Sequence, residues 1–102
     1  MAYKLFTAPQ VDIDLEEAYE YYKNLPKTIQ KFDNNLLSYY DTLEHNPFFK
    51  VRYKNIRALP FKDFPYIIFF TIDEKRKRVD ILSIFNTNQD PVKYPKQKAT
   101  YQ

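Results

Sequence analysis

Between Phe49 and Leu59 the chain reads FKVRYKNIRAL, and its basic residues Lys50, Arg52 and Lys54 fall at every second position. In an extended strand that period sets side chains on one face. The spacing predicts a cationic strand surface, rejoined by Arg57 where the strand bends at Asn55, with Lys62 close by. Several cations on one sheet face can bind a phosphate backbone, or stabilise the charge that develops in phosphodiester cleavage without a metal. They can equally form salt bridges or hold the acidic groups of a partner. A second basic stretch lies at the end of the sequence, where Lys93, Tyr94, Lys96, Lys98 and Tyr101 interleave rings with positive charge. That composition suits base stacking and phosphate contact, or simply a solvated end.

Other chemistries find little support. His45 is the one histidine, and the HNP at 45–47 is a helix-ending signal, so its expected role is capping or a dipole contact. The acids fall on helices at exposed positions, not in facing pairs, and no metal-ligand spacing occurs. The absence of Cys removes disulfides and thiolate zinc sites. The absence of Gly removes the phosphate-binding loops and the nucleophile elbow, which need glycine for close backbone approach or strained turns. No cofactor and no metal are expected.

These residues must be held by elements centred on Tyr66–Phe85. Tyr66 to Ile72 is an unbroken β-branched and aromatic run, too short for a globular helix and too apolar for a strand with one wet face. It predicts a central strand. Val79 to Phe85 repeats the composition after a charged stretch, which predicts an antiparallel hairpin with a connection of four to six residues. A strand buried on both faces needs a layer on each side.

Upstream, Tyr3 to Ala8 is a short candidate strand. A first helix is expected over Asp12 to Leu25, with Asp14 and Glu17 as a capping box and Leu15, Ala18, Tyr22 and Leu25 as its apolar stripe. A second is expected from Lys27 or Thr28 to Glu44, with Ile29, Phe32, Leu36 and Leu43 on one face and Asn46 as a left-handed cap. The resulting fold class is α+β: an N-terminal strand, then an α-helical hairpin packed on one face of a small, mostly antiparallel sheet. The hairpin supplies one layer, and the second face of the sheet is expected to lie open.

At 102 residues the chain makes one domain, placed at 1–90, with a basic, Pro-containing tail at 91–102. No apolar run approaches the length that spans a bilayer, and MAYKLFT lacks a signal-peptide core, so a cytoplasmic protein without membrane contact is expected. Ten Tyr and nine Phe exceed what one small core holds, which directs some rings to a surface or interface. Charge is divided: residues 1–49 carry four lysines against eight acids, whereas residues 50–102 carry twelve Lys or Arg against five acids. The sheet half is therefore suited to a polyanionic or acidic partner.

The order of elements and several motifs resemble the RelE/ParE superfamily, the toxins of bacterial type II toxin-antitoxin pairs. The matching stretches are DLEEAYEYY from Asp14, HNP at 45–47, IRAL at 56–59, FPYIIFFTID at 64–73 and VDILSIFNTNQDPVKY at 79–94. The resemblance covers nearly the whole chain and implies a cognate antitoxin that covers the sheet and groove. It also implies growth inhibition, by ribosome-dependent mRNA cleavage or, in ParE-like members, by inhibition of DNA gyrase. In the RelE-like case Arg57 and Lys54 are the expected phosphate-binding residues, and Tyr94 the residue that stacks a base or assists proton transfer. Lys50, Arg52, Lys62, Lys93 and Lys96 are the expected nucleic-acid or partner contacts. Two departures stand out: Ile67 follows the Tyr that opens the central strand, where RelE-like ribonucleases carry Arg, and Asn86 to Gln89 occupy the place of their C-terminal basic residue or His. A member that only binds a partner is the remaining alternative.

Overall fold

The computed structural model describes residues 2–95. In chain order it contains β1 (Lys4–Thr7), α1 (Pro9–Tyr21), α2 (Pro26–His45), β2 (Val51–Tyr53), β3 (Ile56–Pro60), β4 (Tyr66–Asp73), β5 (Arg78–Asn86) and a 3-10 turn (Pro91–Lys93). The five strands form one sheet in the order β1-β5-β4-β3-β2. Only β1 runs parallel to its neighbour, because the helical hairpin returns the chain to the far edge; the other pairs are antiparallel. The fold is the α+β arrangement that the sequence predicts.

Both helices open on a proline. Pro9 and Pro26 sit at the first helical position, where the missing N–H is an orphan anyway, so α1 starts three residues before the expected Asp12. The capping box does not form: Ala8 precedes α1 with no side-chain cap, and Asp14 lies well inside the helix. Asn46 at the end of α2 has φ −152°, extended and not left-handed, while the Glu44 carbonyl of the last turn accepts from Tyr3 N–H at 2.7 Å. That bond satisfies an orphan helix carbonyl and ties the chain's start to α2.

The alternation along β4 divides the core. Tyr66, Ile68 and Phe70 join Val11, Ala18, Phe32, Leu36 and Leu43 on the helix side. Phe32 is fully buried, with the rings of Phe61, Phe64, Tyr66 and Tyr19 at 5.3, 5.4, 5.4 and 5.9 Å, so part of the aromatic excess fills this layer, while Phe6, Tyr21 and Phe48 stay exposed. Ile67 and Phe69 point the other way and form a second cluster with Ile56, Leu82 and Phe85. The β4–β5 pairing shifts register between Phe69 and Phe70, which face Ser83 and Ile81, leaving Leu82 as the extra residue of a bulge. The connection is Glu74–Lys77, the expected length, with Lys77 left-handed at φ 53° and the Asp73 carboxylate accepting from Arg76 N–H at 3.1 Å.

FKVRYKNIRAL is not one bent strand. It folds into β2 and β3, paired antiparallel around a turn at Lys54–Asn55, and Lys54 takes the left-handed φ of 51° that the tight reversal needs. Among the described residues no helix is long and apolar enough to cross a membrane.

Candidate functional site

The second sheet face is where an open, cationic surface was expected, and the chain itself covers part of it. Asp90 caps the 3-10 turn, its carboxylate accepting from Val92 N–H at 3.0 Å, and the turn delivers Tyr94 back over the sheet. The Tyr94 ring lies 4.8 Å from Phe69, 4.9 Å from Phe85 edge-on, and 5.6 Å from Tyr53 in a near-parallel stack. The Tyr53 hydroxyl donates to the Pro95 carbonyl, closing a clasp. Burial, with the Tyr94 phenol alongside, pushes the Tyr53 phenol up to about 12. Tyr94 is thus a half-buried plug in an aromatic socket. Beyond Leu82 a groove of about 770 Å³ remains, lined by Phe6, Asn55, Thr71, Asp73, Arg78 and Asp80. Of the cations that line it with Lys75, two are engaged: the Arg78 guanidinium pairs with Asp80 through bonds of 2.8 to 3.1 Å and lies 3.9 Å over the Phe6 ring, and Arg76 pairs with Asp73.

The basic residues are divided between surfaces. Arg57 is the cross-strand partner of Val51 and of Phe70, a helix-side core residue, so its side chain leaves the sheet on the face opposite Tyr94. There its Nη1 donates to the Phe49 carbonyl at 2.8 Å, and its Cζ lies 5.7 Å from the Phe48 ring. The expected catalytic residues Arg57, Lys54 and Tyr94 therefore do not converge: one is on the helix side, one in the β2–β3 turn, one in the socket. Lys50 and Arg52 are exposed along the β2 edge, Lys62 is exposed just past β3, with its N–H on the Tyr39 hydroxyl at 2.9 Å, and Lys93 ends the 3-10 turn. Lys96 lies outside the described residues, as do Lys98 and Tyr101. Ile67 is buried in the second-face cluster. Asn86 is committed locally, its side-chain oxygen accepting from Asn88 N–H at 2.9 Å.

Asp14, which sequence reasoning took for a cap, is the buried polar residue that organises α1 against the sheet. β1 pairs only with Arg78–Ile81 of β5, and beyond that register Asp14 takes over the strand's role. Its Oδ2 accepts from Ile84 N–H at 2.9 Å and from Ser83 Oγ at 2.8 Å, while Oδ1 accepts from Gln10 Nε2 at 2.9 Å. Its spacing of three from Val11 and four from Ala18 is the sequence signal for this buried position, one that a stripe begun at Leu15 passes over. Beside it a cleft of about 350 Å³ is lined by Glu17, Tyr21, Tyr66, Asn86 and Gln89. Burial, with Tyr22 adjacent, raises the Tyr66 phenol to about 12, and a hydrogen bond with Asn86 acts in the opposite sense. The carboxylates and imidazole of Asp41, Glu44 and His45 also come within 4.8 Å of one another. This trio sits at the exposed end of α2, where His45 Nδ1 is 2.8 Å from the Asp41 carbonyl, the helix-end contact its position predicts.

Three features thus mark separate surfaces: a sheet face partly covered by Tyr94, a helix-side Arg57 and a basic edge at β2. Comparison with curated protein sequences gave no match. Among solved structures the chain is similar to one described as the chromosomal ParDE TA system from P. aeruginosa, with a TM-score of 0.69 and 20% identity over 83% of this chain and 96% of that one. At that identity the likeness carries the fold. Residues 5–91 match the family model described as the ParE toxin of the type II toxin-antitoxin system, parDE, and the chain therefore belongs to the ParE toxin family.

Proposed function

We propose that this chain is the toxin of a type II toxin-antitoxin pair and that it arrests growth in the cytoplasm by binding a protein target, with DNA gyrase as that target, while a cognate antitoxin holds it inactive. Family membership supports the toxin reading and the antitoxin partner. The observation that favours protein binding over RNA cleavage is the placement of the cationic and aromatic residues. Metal-free cleavage of a phosphodiester needs a cation and a proton-transfer group aimed at one site, within hydrogen-bond reach of the reacting atoms. Here Arg57 bonds a backbone carbonyl on one side of the sheet, and Tyr94 is packed against Phe69 and Phe85 on the other.

The test uses the purified chain in two assays in parallel, DNA supercoiling by gyrase and translation of a reporter mRNA on ribosomes. Inhibition of supercoiling with intact mRNA and undiminished translation is the expected result. Ribosome-dependent cleavage of the mRNA, with supercoiling unaffected, would overturn the proposal.

A further inference from the structure

The cleft beside Asp14 carries a charge opposite to that of the chain as a whole. Asp14, Glu17, Ala18 and Tyr21 fall at i, i+3, i+4 and i+7, so one face of α1 makes one wall. The sheet makes the other: Tyr66 and Asn86 are cross-strand partners, and Ile84 and Gln89 complete the lining. Its charged side chains are the two carboxylates, and no Lys or Arg lines it, although the chain carries a net charge of +3. Asp14 is 7% exposed, and its hydrogen-bond donors among the described residues, Gln10 Nε2, Ser83 Oγ and Ile84 N–H, are all neutral. Neither Asp14 nor Glu17 has a cation within ion-pair distance among the described residues. Lys93 lines the adjoining cavity, which shares Asp14 and Gln89, without reaching that distance. A carboxylate taken this far out of water ordinarily faces a positive charge. Asp14 Oδ1 accepts one hydrogen bond among the described residues, which leaves acceptor capacity on the buried charge.

We infer that this cleft is a binding site for a guanidinium group, carried by a small guanidino compound or by an arginine side chain. At about 350 Å³ it stands at the small end of ligand pockets, a size for one such group and its alkyl stem. The charge it must meet is positive, and the groups that meet it are acceptors: the carboxylates of Asp14 and Glu17 and the amide oxygens of Asn86 and Gln89. A guanidinium brings five N–H donors in a planar fork and a flat face that stacks on rings, whereas an ammonium brings three donors and no such face. Tyr21, 78% exposed, and Tyr66, 4% exposed, supply ring surface at the rim and within. The two carboxylates that attract a cation repel phosphate, so the cleft selects against nucleotides and nucleic acid. Because Asp14 also holds Ile84 N–H and Ser83 Oγ, a guanidinium bound there is joined to the contact between α1 and β5.

The probe is n-propylguanidinium, the arginine side chain without its backbone, titrated into the full chain by calorimetry at constant ionic strength. A capped tripeptide with arginine at its centre forms a second arm, and the tighter of the two identifies the source of the group. We expect saturable binding of a single equivalent. Tetramethylammonium, which has the same charge and no N–H, should bind about tenfold more weakly or worse. Glu17→Gln and Asp14→Asn keep the side-chain shape and remove one charge, and each should weaken n-propylguanidinium by about tenfold. Glu16→Gln, an exposed acid on the same helix outside the cleft, should leave the affinity unchanged, as should Lys93→Gln. Urea unfolding of each variant separates lost binding from lost fold. Failure of the folded parent to bind either probe overturns the inference, as does undiminished binding by folded Glu17→Gln. Equal affinity for tetramethylammonium overturns it too, and so does an equal loss in Glu16→Gln, since either would mark diffuse attraction to an acidic helix. These readings involve neither growth arrest nor gyrase, so a harmless chain would defeat the proposed function and leave this result standing.

Discussion

Replacing Tyr94 separates a structural plug from a chemical group. Tyr94→Ala removes a ring held at 4.8 Å from Phe69, 4.9 Å from Phe85 and 5.6 Å from Tyr53, and leaves the second-face cluster facing water. Truncating a fully buried aromatic costs about 3–5 kcal/mol. Tyr94 is half-buried, so about half of that, roughly 2 kcal/mol, is the expected loss. For a domain of this size each kcal/mol shifts the melting temperature by about 4–8 °C, which places the variant roughly 8–16 °C below the parent. Tyr94→Phe keeps every ring contact, and the hydroxyl it removes makes no hydrogen bond among the described residues, so its cost should stay within about 0.5 kcal/mol. Thermal unfolding followed by circular dichroism measures both, and induced expression measures growth arrest. The expected pattern is full toxicity for Tyr94→Phe. A Tyr94→Phe chain that melts like the parent but no longer arrests growth would refute the argument and return the hydroxyl to chemistry. An unchanged melting temperature for Tyr94→Ala would refute the plug itself.

Asp14→Ala should cost about 2–3 kcal/mol, because it leaves the Ile84 N–H and the Ser83 hydroxyl buried without their acceptor; urea unfolding checks this, and a loss below half a kcal/mol would mean the α1–β5 joint is held by packing alone. Arg57→Ala should lose about 1 kcal/mol with the bond to the Phe49 carbonyl and still poison cells, whereas a stable, harmless variant would place Arg57 in the surface that acts on the target. Alkaline titration should resolve two classes of tyrosine, since burial raises Tyr19, Tyr40, Tyr53 and Tyr66 to about 12, with the Asp33 hydrogen bond contributing at Tyr19. The folded state holds those protons more tightly than the unfolded chain, so their contribution to stability is complete below the ordinary phenol value near 10 and is lost as pH climbs from there through 12. Absorbance at the phenolate band shows it; all phenols titrating together near 10, with the fold intact, would contradict it.

What the sequence made legible follows from how local each signal is. The apolar run of β4, the stop at HNP and the charged β4–β5 connection are set by neighbours along the chain, and each forms where the residues place it. Asp14 was misread because a capping box and a buried carboxylate look alike over four residues. The distinction lies in Ile84, seventy positions away, whose N–H has no strand partner once β1 ends. FKVRYKNIRAL was misread for a related reason: its period of two is real, but nothing local announces that Lys54 can take a left-handed turn without glycine. Once that turn forms, Arg57 is carried to the opposite face, and a cationic set that looked continuous is split.

The division of the sheet then redirects the functional argument from a face to an edge. A central strand apolar on both sides demands two covers, and an uncovered face invites a guest. The helical hairpin supplies one cover and the Tyr94 clasp begins the other, so burial alone does not require a partner on the second face. Exposed charge remains at β2, where among the described residues Lys50, Arg52 and Lys54 have no carboxylate within ion-pair distance. An inhibitor that works by binding needs such a surface, since its specificity comes from complementary charge and an anchored side chain, not from aligned catalytic groups. On the proposal of an inhibitor that binds a protein, substitutions at Lys50, Arg52 and Lys54 should change how tightly the chain holds its target, which pull-down of the folded variants measures.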